Sequence, residues 1–420
     1  MADGGGEEVT SSSATQATWR SLFASREFLA VWASRGLSLV GDQLTRVAVT
    51  ILVYDRTGSP LLTAAAYALS YVPWLIGGPL LSGLADRYPR RLMMIICDVA
   101  STVLVALMAL SDLPLAVLCA LLFLVVLIES PFTSARAALL VDILPDDRYV
   151  LASALMNMTV QIGQVVGFAV GGALVALLGT QPALLIDAGT FLGSALLVKL
   201  FVANRPTPRA GQPTDPPSWW VRMTAGAKLI TGDPRLRSLL FVAMLATFWV
   251  VPEGLAAPYI HDLNGTSPAA IGLYLAAQPT GAALGYLIIG RMFGPARRLE
   301  LVGPLALLSC LPLIGCALHP DLIVTLLLLV LSGMGTSYNV PANAAFMQIV
   351  PADSRGQAFG LVSTALIAGQ GISMALGGAA ANFLSAPVVI AIVGGLGTVA
   401  AARAAATNRK VLAAILPTLN

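Results

Sequence analysis

The chain has 420 residues, 57% of them hydrophobic and 11% charged, with a mean hydropathy of +0.82 and a formal net charge of +3. These values exclude an ordinary soluble domain and indicate an integral membrane protein in contact with a lipid bilayer. So small a net charge, carried on short polar segments, gives no footprint for nucleic acid.

Residues 1–25 are rich in Gly, Glu, Ser and Thr without an apolar stretch, so they read as a disordered cytoplasmic tail and not as a cleaved leader. Twelve apolar runs follow, each long enough to cross a hydrocarbon layer of about 30 Å as a helix. They lie near 28–54, 60–83, 92–110, 114–137, 149–178, 182–203, 236–260, 268–291, 299–317, 322–345, 355–384 and 387–406. The expected fold class is an all-α membrane protein of twelve transmembrane helices, with a six-helix bundle over 26–203 and a second over 236–420. Between them, residues 204–235 begin with "RPTPRAGQPTDPPSWW", too rich in Pro and polar residues for a helix, and continue with mixed basic and apolar residues. That segment reads as a cytoplasmic linker carrying a short interfacial helix. With both termini cytoplasmic, all but three of the 24 cations fall on the cytoplasmic side: Arg56 lies opposite, and Arg35 and Arg46 lie inside a span. Cys97, Cys119, Cys310 and Cys316 sit within apolar runs at no metal-ligand spacing, so no metal and no cofactor are indicated.

The chain repeats itself at an offset of 206 residues. "IGQVVGFAVGG" at 162–172 falls on "AGQGISMALGG" at 368–378, matching Gly163, Gln164, Ala169, Gly171 and Gly172. The same offset carries Pro145 onto Pro351 and Pro73 onto Pro279. Two six-helix halves entering the membrane in the same direction imply parallel repeats about an axis along the membrane normal.

Twelve spans, two parallel halves and "GLADRYPRR" after the second span resemble the major facilitator superfamily. "LVGDQLTRVAVTILVYDRTGSPL", "ARAALLVDILPDD", "LLIDAGTFLGSALLV" and "GDPRLRSLL" are similar to its bacterial branch of siderophore and macrolide exporters, the transmembrane secretion effectors. The resemblance implies the major facilitator fold, transport by alternating access, a monomer and no enzymatic activity. It also implies a cytoplasmic gate, with Asp86 as the capping acid and Arg87, Arg90 and Arg91 as the basic positions. Asp98, Arg136 and Asp142 are placed to join that network. This chain departs from the pattern at Ser82 and Pro89, where the family loop has Gly, and at Phe168, where family antiporters have Pro.

Ionisable groups inside spans cost roughly 2.5–3.5 kcal/mol each on insertion scales, so they mark functional positions. Asp42 and Arg46 lie one turn apart on one helix face, a spacing at which they neutralise each other. Glu129 has no basic residue nearer along its helix than Arg136, two turns on. Glu253 falls, at the repeat offset, beside the depth of Arg46, so the two meet across a central cavity. Asp187, on a more peripheral span, reads as structural. A proton-driven exporter needs a carboxylate that titrates as it is exposed to either side, and the candidates are Glu129, then Glu253, then Asp42, with Arg46 as charge partner. Tyr71, Trp74, Phe248, Trp249, Tyr338, Asn339 and Asn343 are candidate walls of a substrate cavity. Gly163, Gly167, Gly171, Gly172, Gly377 and Gly378 are candidate close-packing positions.

The expected function is secondary active, proton-driven efflux of a small amphipathic organic compound, drug-like or a secondary metabolite, across a bacterial cytoplasmic membrane. Uptake, lysophospholipid flipping and a non-transporting membrane sensor are the competing readings.

Overall fold

The computed structural model describes residues 22–81, 84, 88–110, 113–144, 147–205, 219–263, 265, 267–351 and 354–415. Asp86 and Arg87 of the expected gate lie outside the described residues, as do residues 1–21 of the expected tail and 206–218 of the linker. Leu22, within the expected tail, is already fully buried.

Among the described residues, four helices begin at a Ser or Asp whose side chain caps the first turn: Ser25, Ser59, Asp233 and Asp321. Helix α1 (Arg26–Thr57) starts at Ser25, whose side chain accepts the Phe28 N–H at 3.3 Å, and carries Glu27 in its first turn. It stops at Gly58, where φ is 59° and the amide donates to Tyr54 O at 2.7 Å. A residue with a Cβ would be strained in that left-handed conformation. Ser59 then caps α2 (Pro60–Ala68), which opens on proline, and α3 (Val72–Leu81) completes the second segment after a break just ahead of Pro73. The first half continues with α4 (Arg90–Met108), α5 (Leu115–Ile143), α6 (Asp147–Leu178) and α7 (Thr180–Phe201). Helix α8 (Trp219–Gly232) lies within the linker segment, and Gly226 packs it against Gln357 of the second half.

The second half is less regular. Its first segment, expected as one span, is four short helices: α9 (Pro234–Ala243), α10 (Ala246–Trp249), α11 (Val251–Gly254) and α12 (Ala256–Asp262), with Pro252 and Pro258 in the broken stretch. Proline removes a backbone donor and clashes with the preceding turn, which fits the break ahead of Pro252, although Pro131 and Pro279 are carried inside the unbroken α5 and the unbroken helix Pro268–Met292. Next come α13 (Pro268–Met292), α14 (Pro295–Glu300) and α15 (Val302–Cys310), the last running into a 3₁₀ helix (Leu311–Leu318). Helix α16 (Leu322–Gly335), one 3₁₀ turn, α17 (Asn339–Ile349), α18 (Arg355–Ala380) and α19 (Ala386–Ile415) complete the chain.

Eleven segments are long and apolar enough to cross a membrane, and no strand occurs among the described residues. Val302–Leu318, the expected ninth span, is the shorter one. Because its second part is the more extended 3₁₀ form, its length is nevertheless about 30 Å, close to the hydrocarbon thickness.

The cores show how the halves meet. At the end away from the linker, one hydrophobic core draws on both halves, from Leu44, Val47 and Ala64 to Leu255, Tyr274 and Met374. At the linker end the core divides, with Phe28, Met94, Phe132 and Leu139 in the first half and Leu239, Val302, Phe346 and Ala404 in the second. Among the described residues, the hydrophobic core is therefore shared by the two halves at the far end and divided between them at the linker end.

All six close-packing glycines lie at helix contacts. A Cβ at Gly163 or Gly167 would fall 2.4 Å from Leu39 or 2.7 Å from Gln43 of α1, and one at Gly171 would fall 3.1 Å from Leu44. Gly172 instead meets Gly272 of α13, across the two halves: a Cβ on either would fall 2.6 Å from the other's Cα. Gly377 packs on Val251 at 2.6 Å, and Gly378 crosses to Ala64 of α2 at 2.5 Å.

Candidate functional site

Charge inside the first half is organised by Arg35. Its Nη1 donates to Glu129 Oε1 at 3.1 Å and lies 3.8 Å from Asp42 Oδ2, so one guanidinium on α1 serves carboxylates of α1 and α5. A planar guanidinium fork suits this shared role. The expected Asp42–Arg46 pair does not form: no acid lies within 4 Å of Arg46 among the described residues. Glu129, ranked first for want of a basic partner, has one. Spacing along α5 could not reveal it, because Arg35 comes from another helix.

These groups line a narrow cavity of about 30 Å³ together with Ser38, Asp98 and Asp187, too small for an organic substrate. Asp98, grouped with the gate from the sequence, lines this interior: it is buried and accepts from Ser194 at 2.6 Å. Asp187 accepts from Thr45 and from Thr190, the latter at 3.0 Å. Gly41 makes that approach possible, since a Cβ there would fall 2.0 Å from Asp187 Oδ1.

At the linker end Arg90 pairs with Asp142 and donates to Ala138 O at 3.0 Å, joining α4 to the end of α5. Arg91 donates to Lys199 O. Arg136 turns inward, 5.9 Å from the Phe132 ring centroid, and its Nη1 is buried without a hydrogen-bond partner. One contact here had no counterpart in the sequence reading. Glu27 accepts from Arg205 Nη2 at 2.6 Å and from the Ala203 N–H at 2.7 Å, tying the start of α1 to the start of the linker.

Between the halves lies a larger cavity of about 240 Å³, lined by Arg46 and Glu253, as the repeat offset implied, and by Tyr71, Trp249 and Asn339. Glu253 Oε2 accepts from Tyr67 at 3.1 Å and, more loosely, from Tyr71 at 3.5 Å, so an acid of the second half is held by two hydroxyls of the first. Tyr67 escaped the sequence reading, although it lies one turn from Tyr71 on the same face. Gln161, Gln164, Gln278 and Gln370 also line this cavity and were missed as walls.

The other expected wall residues lie elsewhere. Tyr338 is fully buried, and its hydroxyl accepts the Trp249 indole N–H at 3.3 Å, orienting that ring. Phe248 faces a separate apolar cavity of about 230 Å³ with Val251, Leu376 and Leu396. Trp74 packs against the shared core, and Asn343 is exposed on α17. Adjacent residues of a helix point about 100° apart, and here Phe248 and Trp249 face different cavities.

A family model described as Major Facilitator Superfamily matches residues 31–254 and again 239–412. Macrolide efflux protein A of Streptococcus pyogenes is 24% identical over 350 residues, covering 80% of this chain and 85% of that protein. The enterobactin exporter EntS of Shigella flexneri is 28% identical over 386 residues, 88% of each chain. Among solved structures, the nucleoside transporter NupG has a TM-score of 0.70 at 14% identity, covering 90% of this chain and 98% of its own. A bacterial homologue of the human lysosomal transporter Spinster, in an inward-facing, unoccupied conformation, has a TM-score of 0.66 at 16% identity, with 93% and 94% covered. With both halves of the chain matched by the family model and the fold shared with solved transporters, the chain belongs to the Major Facilitator Superfamily and is a membrane transporter, not an enzyme.

Proposed function

We propose that the protein is a proton-driven exporter of a small amphipathic organic compound, working by alternating access as a monomer in a bacterial cytoplasmic membrane. In this reading Val302–Leu318 is the ninth of twelve spans, both termini and the linker are cytoplasmic, and the divided core leaves the central cavity open towards the cytoplasm. The observation that carries the proposal is the shared Arg35. Two carboxylates, Asp42 and Glu129, compete for one cation inside an apolar bundle, a costly arrangement unless the pairing changes during the cycle. Taking up a proton removes one competitor and commits Arg35 to the other, which shifts α1 against α5.

Glu253 supplies the corresponding event between the halves. As a carboxylate it holds Tyr67 and Tyr71 and helps keep the far end shut. Once protonated it is a weaker acceptor, and the far end is freer to part. Arg90 and Asp142, with Arg87 and Asp86 of the same loop, are proposed as the gate of the cytoplasmic end.

The efflux-named relatives make a macrolide and enterobactin the first compounds to test. Adding either to proteoliposomes of the purified protein is expected to move protons, and Glu129→Gln and Glu253→Gln are expected to abolish that movement. Transport without proton movement, or movement retained by both variants, overturns the coupling.

A further inference from the structure

Resting on the export reading above, we propose that Gln164 and Gln370 are the specificity-determining pair of the central cavity. The substrate class they select is an uncharged organic molecule rich in hydroxyl, carbonyl and amide groups.

The charges of the wall argue against an ionic substrate of either sign. Arg46 has no acid within ion-pair distance among the described residues, so a cationic substrate would meet its guanidinium on the cavity wall. Glu253, the acid on the wall, is already engaged by Tyr67 and Tyr71, and an anionic substrate would meet it at close range. A molecule without net charge avoids both penalties, and the rings of Tyr71, Phe168 and Trp249 offer it apolar faces.

Recognition then falls to neutral hydrogen-bonding groups. The whole chain has ten glutamines, and four of them line this one cavity, which ties their placement to the site and not to chance composition. Gln278 is spoken for: its amide nitrogen donates to Trp249 O at 2.7 Å and to Ser332 Oγ at 3.2 Å, bracing the broken first segment of the second half. Gln164 and Gln370 are half-buried and make no side-chain hydrogen bond among the described residues. Each offers two N–H donors and a carbonyl acceptor. They are 206 residues apart, the repeat offset, so α6 and α18 present the same amide from equivalent positions of the two halves. A hydroxyl- or amide-bearing molecule between them is held by both halves at once and loses one set of partners when the halves separate, which couples its release to the transition.

The test uses the purified full-length protein in lipid nanodiscs. Equilibrium binding is measured for two uncharged compounds carrying hydroxyl groups, chloramphenicol and brefeldin A, and for two lipophilic cations, tetraphenylphosphonium and ethidium. At least one uncharged compound is expected to bind tenfold or more tightly than either cation. Gln164→Leu and Gln370→Leu are each expected to weaken its binding about fivefold or more, the loss of one to two hydrogen bonds. Gln164→Asn and Gln370→Asn, which keep the amide, should recover part of the loss, and an unchanged thermal unfolding midpoint separates lost recognition from lost folding. Equal or tighter binding of a cation, binding of neither uncharged compound, or full affinity in both leucine variants overturns the proposal. The export reading fails on a different result, namely no proton movement in proteoliposomes with a macrolide, enterobactin or any of these four compounds. Cation-driven proton movement indifferent to both glutamines leaves export standing and removes this substrate class.

Discussion

Gly171 and Gly172 pack on α1 and α13, and 206 residues later Gly377 and Gly378 pack on α11 and α2. The two halves thus repeat each other in the contacts that join helices. Their buried charge does not repeat. At the same offset, Arg35, Asp42, Asp98, Glu129, Arg136 and Asp187 of the first half face Phe241, Phe248, Pro304, Gly335, Ala342 and Val393 of the second. Packing recurs because each half must bury the same helix faces, whereas an interior charge costs roughly 2.5–3.5 kcal/mol and persists only where it is used. The first half holds most of the charge inside the spans; the second contributes Glu253 and a first segment that is broken into short helices.

The sharpest way to break this contrast is Arg35→Leu. It leaves Asp42 and Glu129 together without their cation, so transport should be lost and unfolding in detergent should be easier by about 3–5 kcal/mol, the usual result of removing one partner of a buried pair. Phe241→Leu at the equivalent position should keep transport within about twofold, as expected for a conservative apolar exchange. Comparable damage from both would dissolve the asymmetry. Gly172→Leu and Gly378→Leu test the symmetric part. Both push a side chain into the opposite half, and their transport losses should agree within about a factor of three, each reflecting about 1–3 kcal/mol of overpacking. A large loss from one alone would mean that the far-end contacts are unequal.

A smaller effect, again confined to the first half, is expected of Gly41→Ala. The new methyl collides with Asp187, and thermal unfolding should report about 1–3 kcal/mol. Combining it with Asp187→Ala, which removes the colliding carboxylate, should cost less than the two single changes added together, and strict additivity would show that the two residues do not touch. Smallest is Glu27→Gln at the linker end. Its partner Arg205 is partly exposed, so the loss should stay within about 1 kcal/mol.

Composition and the 206-residue offset made most of the helical scaffold legible, because apolar length and small-residue spacing are local properties of the chain. The offset also brought Arg46 and Glu253 to one cavity. What it missed came from contacts between helices. Arg35 was seen only as a cation inside a span, since its partner Glu129 is 94 residues away and nothing in the spacing along α1 names it. Asp98, within the third span, was grouped with the cytoplasmic gate, and Ser194, which holds it, lies on α7. The break before Pro252 was visible as a proline, but which of the neighbours Phe248 and Trp249 faces the space between the halves depends on how α10 is rotated in the bundle. Tyr338 looked like a cavity residue because it is polar and on a suitable helix; it is instead the buried support for one.

The meeting of Gly172 with Gly272 has a consequence for leakage. Side chains that plug a pore flicker between rotamers and open transient paths for small ions, but here two backbones lie against each other and there is no side chain to swing aside. Such a seal is all or nothing. It holds until the helices themselves move, so under the proposed proton coupling slippage past an idle transporter would be low, and the gradient would be drawn down mainly when a whole half shifts.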